Sequence, residues 1–136
     1  MDQGNTAFVL ISAALVLLMT PALAFFYGGL VKTKSVVSMM MLSFGAMALI
    51  GVTWVLYGYA IAFPGSQNSP ESTYYGIPHV LGINTASIGL NNLLTVPEGA
   101  VFPPLAFAAF QAGFAIITVA LISGAIADRA KFGAWL

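Results

Sequence analysis

The sequence predicts an all-α, polytopic membrane protein, because it is strongly apolar and contains three long runs without charge. Of its 136 residues, 60% are hydrophobic and only 6% are charged, whereas soluble domains carry about 25% charged residues. The mean hydropathy is +0.96. Each charge-free run is long enough to cross a bilayer core of about 30 Å as a helix. We predict spans at about residues 5–31, 35–63 and 101–127, joined by an outer loop over about residues 64–100.

The first two spans follow directly from these runs. The first begins after Asp2 rather than after a basic segment, and it is longer than the apolar core of a signal peptide, so we predict a spanning helix. In the second span, the small residues Gly45, Ala46, Ala48 and Gly51 are expected to let helices approach closely. Trp54, Tyr57 and Tyr59 near its far end are predicted to be anchors at the membrane interface.

The third span carries the candidate functional face. Pro103 and Pro104 open it, at positions where a missing N–H costs little. Phe107, Phe110, Gln111 and Phe114 recur at helical spacing and therefore share one face. Two interpretations of that face remain open. It is either an ordinary packing surface or the wall of a pore, in which aromatic rings attract a small cation.

Composition and motifs exclude several classes of function. The net charge is zero and only four residues are basic, which argues against nucleic acid as a partner. There is no cysteine, no nucleophile paired with a histidine, and no glycine-rich phosphate loop, so we predict neither an enzyme nor a cofactor. His79, the single histidine, lies in the outer loop and is interpreted as structural or exposed to solvent. A transporter component and a helical scaffold remain.

The distribution of charge predicts the orientation in the membrane. Lys32, Lys34, Arg129 and Lys131 fall on one side if the three helices alternate, and Asp2, Glu71 and Glu98 fall on the other. The positive-inside rule then places the N-terminus outside the cell. Residues 132–136 are interpreted as the start of a fourth span, so we expect the chain to be truncated within a larger architecture.

Three motifs, taken together, resemble the ammonium transporter family (Amt/Mep/Rh). Residues 110–129, FQAGFAIITVALISGAIADR, are similar to the third span of that family, where the pattern FQxxFAxIT…GAxAER is typical. Residues 19–29, MTPALAFFYGG, and residues 54–63, WVLYGYAIAF, resemble its first and second spans. The resemblance covers essentially all three predicted spans, and Asp128 stands where the family usually has Glu.

The resemblance implies a fold, a function and partners. It implies the first three of about eleven spans of an inverted-repeat transporter in the plasma membrane. Members of the family are expected to form homotrimers in which each subunit has its own narrow, hydrophobic pore. By this resemblance, ammonium enters an outer aromatic vestibule, passes two stacked phenylalanines and loses a proton before or within a dry lumen lined by two histidines. A cytoplasmic nitrogen-regulatory protein is a further expected partner.

The same resemblance assigns individual residues. Phe114 matches the upper phenylalanine of the gate, and Phe110 matches the aromatic residue of the vestibule. Phe26 resembles the residue that narrows the cytoplasmic exit, with Leu23 one turn above it, whereas Phe107 has no match and is assigned to packing. We therefore expect ammonium or ammonia transport, with this chain supplying one wall of the pore and half of the gate. The lumen histidines have no counterpart here, so we expect no conduction by this chain alone. The alternative is a non-conducting three-helix scaffold or a truncated assembly fragment.

Overall fold

The computed structural model describes residues 2–64, 74–77, 81–127, 129 and 131–135. The helices are α1 (Gln3–Leu30), α2 (Val36–Thr53), α3 (Tyr59–Ala62), α4 (Pro104–Ile122) and α5 (Phe132–Trp135), and the strands are β1 (Tyr74–Ile77) and β2 (Leu81–Asn84). A π-helical turn, Trp54–Gly58, joins α2 to α3. Short 3-10 segments cover Thr33–Ser35, Thr85–Leu93 and Ser123–Ile126, the second of them interrupted by a kink at residues 88–90. The residues Glu71, His79 and Asp128, named in the sequence analysis, lie outside the described part of the chain.

Three helical stretches are long and apolar enough to cross a membrane, Gln3–Leu30, Thr33–Ala62 and Pro104–Ile126. The prediction of an all-α, polytopic membrane protein is therefore confirmed. The third helix begins at Pro104 rather than at residue 101, because Pro103 adopts an extended conformation at the N-cap. At the start of α1 the carboxylate of Asp2 accepts the N–H of Gly4 at 2.9 Å, which satisfies one of the unpaired donors of the first turn.

Helix α1 runs parallel to the third membrane span and approaches it closely at two glycines, Gly113 of α4 and Gly124 of the 3-10 segment that follows α4. A Cβ added at Gly113 would lie 2.6 Å from Cγ1 of Val16, and one added at Gly124 would lie 2.9 Å from the Tyr27 ring. In both pairs the residue of the third span follows its α1 neighbour by the same number of positions, so a single register describes the whole contact. The hydroxyl of Tyr27 also donates to the carbonyl of Leu121 at 3.2 Å.

Two expectations about the second span are wrong for some of the residues that they name. Ala46 is buried, as expected of a small residue between packed helices. The structure leaves open space around Gly51, however, where an added Cβ would meet no atom within 4 Å. Tyr59 is 3% exposed, and the indole N–H of Trp54 donates to the carbonyl of Ala108 at 3.1 Å. Both aromatic residues therefore pack inside the bundle instead of anchoring an interface, and only Tyr57, at 49% exposure, has the surface position expected of an anchor.

The predicted outer loop contains secondary structure of its own. β1 pairs antiparallel with β2, with Gly76 opposite Gly82. The side chain of Asn84 then accepts the N–H of Ala86 and caps the 3-10 segment that follows. Leu93 at the end of this segment is buried beside Tyr59. The described part of the loop is thereby packed onto the C-terminal end of the second membrane span.

Candidate functional site: an aromatic pair on the third membrane helix

The rings of Phe110 and Phe114 contact each other one helical turn apart. Their centroids are 5.1 Å apart and their planes are inclined at 76°, which is an edge-to-face arrangement. Phe110 is half-buried, and Phe114 is 41% exposed. The pair therefore presents aromatic surface at the side of the described bundle and is not enclosed within it.

The surroundings of the pair on α4 contain no ionisable side chain. Gln111 is half-buried on the same side of the helix. One turn further on, the hydroxyl of Thr118 donates to the carbonyl of Phe114 at 2.7 Å, so that hydroxyl is already used within the helix. The available chemistry is thus the negative face of the rings and the amide of Gln111, which suits recruitment of a cation but not transfer of a proton.

An apolar groove lies on another side of α4. It has a volume of about 370 Å³ and includes Leu17, Gly51, Ala109 and Ala112 in its lining. Neither ring of the aromatic pair lines this groove. By helical periodicity, Ala109 and Ala112 lie on a different face of α4 from Phe110 and Phe114. The groove and the aromatic pair are therefore separate features of the same helix.

Leu23 and Phe26, the other two predicted site residues, lie near the end of α1. Leu23 is half-buried, whereas Phe26 is 61% exposed and its ring centroid lies 5.9 Å from that of Tyr27. They are three residues apart in a continuous helix and so are neighbours on its surface.

The structure does not bring the two pairs of predicted site residues into contact. In the register set by the Gly113–Val16 contact, Phe114 lies level with Leu17 of α1. Phe26 follows Leu17 along the same helix by roughly 13 Å, at a rise of about 1.5 Å per residue. The Phe110–Phe114 pair and the Leu23–Phe26 pair therefore lie at two different levels along the axis of the bundle.

Sequence reasoning missed the aromatic cluster that supports the beginning of α4. The ring of Phe107 packs edge-on against Phe63 with a centroid separation of 5.4 Å. Phe63 in turn contacts Trp54 and Tyr59, at 6.4 Å and 5.0 Å between centroids. The assignment of Phe107 to packing is confirmed. The sequence gives no sign that Phe107 contacts this cluster, because Trp54, Tyr59 and Phe63 lie far from Phe107 along the chain.

Nothing in the described residues offers a metal site, since no three His, Cys, Asp or Glu side chains come together there. The described spans also hold no charged side chain between the ends of their helices. The described spans therefore present a largely apolar surface, and the Phe110–Phe114 pair lies on it.

The sequence itself identifies the family. A sequence profile described as Ammonium Transporter Family matches residues 7–136. The chain belongs to the ammonium transporter family. This is a family of transporters and not of enzymes, as the sequence analysis expects.

Relatives in bacteria and archaea agree with this membership. The chain is 51% identical over 141 residues to a protein of Mycobacterium tuberculosis named "Ammonium transporter", with 99% of this chain covered. It is 42% identical to a protein of the same name from Bacillus subtilis. It is 40% identical to a "Putative ammonium transporter" of Methanothermobacter thermautotrophicus, and both of these alignments cover 100% of this chain. The alignments cover 30% to 31% of the relatives' own length, so the chain spans about a third of these transporters.

Proposed function

We propose that this chain contributes to the passage of ammonium or ammonia across a membrane, through a narrow hydrophobic pore with an aromatic vestibule and a phenylalanine gate. In this proposal Phe110 lines the vestibule, Phe114 is half of the gate, and the three helices supply one wall of the pore. The observation that carries it is the edge-to-face contact of Phe110 and Phe114 on an uncharged face of α4, in a chain that belongs to the ammonium transporter family.

The physical argument begins with the cost of moving an ion through an apolar wall. Transfer of an unpaired cation from water to a low-dielectric medium costs on the order of 20 kcal/mol in the idealised Born limit. Neutral ammonia avoids most of that cost, whereas potassium has no proton to lose. Aromatic rings near the entrance attract ammonium by about 0.5–2 kcal/mol through their quadrupole. The Phe110–Phe114 pair then favours recruitment of the cation, and the apolar wall beyond it favours passage of the neutral form.

Leu23 and Phe26 have a different part in the proposal. They would narrow the pore nearer its cytoplasmic exit, with Phe26 as the constriction and Leu23 one turn above it. Their position supports this assignment, since Leu23 lies on α1 roughly 9 Å and Phe26 roughly 13 Å beyond the level of Phe114. A bulky apolar side chain at that depth would keep the pore dry between two narrow points.

Uptake of ammonium or methylammonium by the complete transporter tests the proposed roles. Phe110→Ala should raise KM by about two- to thirtyfold, because it removes a ring that attracts the cation. Phe114→Ala should alter the rate of uptake and weaken discrimination against potassium. The matched control is Phe8→Ala, an exposed phenylalanine near the start of α1, on a different helix from the pair. Unchanged uptake and selectivity in both variants would favour the alternative function as a helical scaffold.

Orientation, assembly and location belong to the same proposal. We place the protein in the plasma membrane with its N-terminus outside. The geometry supports this orientation, because Lys131 shares a cavity with Val31 and Ser35 at one end of the bundle. At the other end, the main-chain N–H of Asp2 donates to the carbonyl of Val101. Assembly as a homotrimer and docking of a cytoplasmic nitrogen-regulatory protein rest on the resemblance to the family alone.

A further inference from the structure

The second membrane helix changes its hydrogen-bonding pattern at the level where it meets the beginning of α4. α2 ends at Thr53, and the next five residues, Trp54–Gly58, form the π-helical turn. The N–H of Tyr59 donates to the carbonyl of Trp54 across this turn. A π turn accommodates one more residue than an α turn, and such turns occur frequently at functional sites.

The indole of Trp54, the first residue of the π turn, is held on several sides. Its ring lies edge-on to Tyr59 and to Phe63, with interplanar angles of 85° and 87°. Gly58, at the end of the same turn, leaves room for it, because an added Cβ there would lie 3.2 Å from Cε3 of the indole. The turn therefore fixes where the indole N–H points.

The acceptor of that N–H is a main-chain atom of the helix that carries the aromatic pair. The indole Nε1 donates to the carbonyl oxygen of Ala108 at 3.1 Å. Ala108 is 1% exposed and precedes Phe110 by two residues. This bond holds the main chain of α4. It therefore restricts the depth of α4 in the bundle and the rotation of α4 about its own axis, independently of the contacts that the side chains of α4 make. The position of Phe110 and Phe114 follows from both quantities.

We propose that Trp54 is a positioning residue for the Phe110–Phe114 pair. Its indole N–H, presented by the π turn, sets the depth and rotation of α4, and thereby the apparent affinity of the transporter for ammonium. The inference rests on the function proposed above. It differs from a general stabilising role because it predicts a change in KM, which loss of stability alone does not produce in correctly folded protein.

The test compares two tryptophans in the complete transporter. Trp54→Phe keeps an aromatic ring but removes the donor to Ala108. Trp135→Phe is the matched control, because its indole N–H donates to the carbonyl of Leu42 at 3.0 Å, away from the aromatic pair. Methylammonium uptake is measured per amount of folded protein, together with the melting temperature. We expect Trp54→Phe to raise KM by about three- to tenfold, as for loss of one hydrogen bond, with a smaller change in kcat. Trp135→Phe should lower the melting temperature without moving KM.

A second substitution separates the hydrogen bond from the packing of the ring. Site-specific replacement of Trp54 by its benzothiophene analogue keeps the shape of the indole and removes only the N–H. It should reproduce the change in KM even if Trp54→Phe folds poorly. Unchanged KM in the analogue, with a melting temperature lowered as in Trp135→Phe, would overturn the inference.

The substitutions at Phe110 and Phe114 distinguish failure of the positioning role of Trp54 from failure of the proposed transport function. If Phe110→Ala and Phe114→Ala alter KM or selectivity while both changes at Trp54 do not, the positioning role is wrong and the proposed pore role stands. If none of the four alters transport, the proposed function is wrong, and the positioning role with it.

Discussion

Thr20 places a hydroxyl group at the centre of the bundle, where its Oγ1 is buried and meets no hydrogen-bond partner among the described residues. The hydroxyl of Ser43 on α2 is in the same situation. A buried hydroxyl without a partner costs about 1–3 kcal/mol relative to a made bond. These two residues therefore weaken the packing of the helices, and their neighbours must offset that cost.

Thr20→Val tests this reading at the residue scale. Valine has nearly the shape of threonine but no polar atom, so we expect the free energy of unfolding to stay the same or rise by about 1 kcal/mol. The control is Thr53→Val, which removes a hydroxyl that does donate, to the carbonyl of Leu49 at 3.0 Å, and should lower stability. Thermal unfolding of the purified transporter measures both. A clear loss of stability in Thr20→Val would show that its hydroxyl has a partner.

Single residues also show where sequence reasoning succeeds and where it stops. The contact between Phe110 and Phe114 follows from their spacing, because residues four apart are neighbours on a helix. The role of Trp54 does not follow, since its acceptor Ala108 is 54 residues away in the chain. An aromatic residue near the end of a span is typically an interfacial anchor, so the sequence alone favoured the wrong environment.

Contacts between elements depend on which small residues meet a neighbouring helix. α1 and α4 come closest at Gly113, where the Cα lies against Val16, and Gly51 on the second span meets open space instead. Small residues are frequent in both helices, so composition does not distinguish the glycine that is in contact from the one that is not. Only the register between the helices determines which glycine is in contact with a neighbouring helix.

Gly113→Ala tests this register. A Cβ at 2.6 Å from Cγ1 of Val16 would force the helices apart, because a β-branched side chain has little freedom to move. We expect a loss of about 1–3 kcal/mol, as for other overpacked contacts. Gly51→Ala is the matched control, with no atom within 4 Å of the added carbon, and should leave the melting temperature unchanged or raised. Equal behaviour of the two variants in thermal unfolding would contradict the register.

The regular helices were predictable from hydropathy, and the irregular elements were not. The three spans follow from charge-free runs of sufficient length. The β1–β2 pair depends on contacts between the two strands, and the π turn is accompanied by the packing of Trp54 with Tyr59. Neither leaves a periodic pattern in the sequence.

The orientation of the whole molecule is accessible to chemical labelling. The described bundle has basic residues at one end and acidic residues at the other, and the chain has no cysteine of its own. Glu98→Cys and Lys34→Cys replace exposed residues at opposite ends. In intact cells, a membrane-impermeant maleimide should label the cysteine at position 98 and should label the one at position 34 only after permeabilisation. The reverse pattern would place the N-terminus inside.

The central claim is that Phe110 lines the vestibule of an ammonium pore and that Phe114 forms half of its gate. The most direct measurement is ion-specific current and uptake in proteoliposomes that contain the complete transporter, with ammonium or potassium as the only cation. We predict that the unmodified protein responds to ammonium and rejects potassium, and that the double variant Phe110→Ala/Phe114→Ala loses much of this discrimination. Rejection of potassium by the double variant to the same degree, with ammonium uptake unchanged, would contradict the claim.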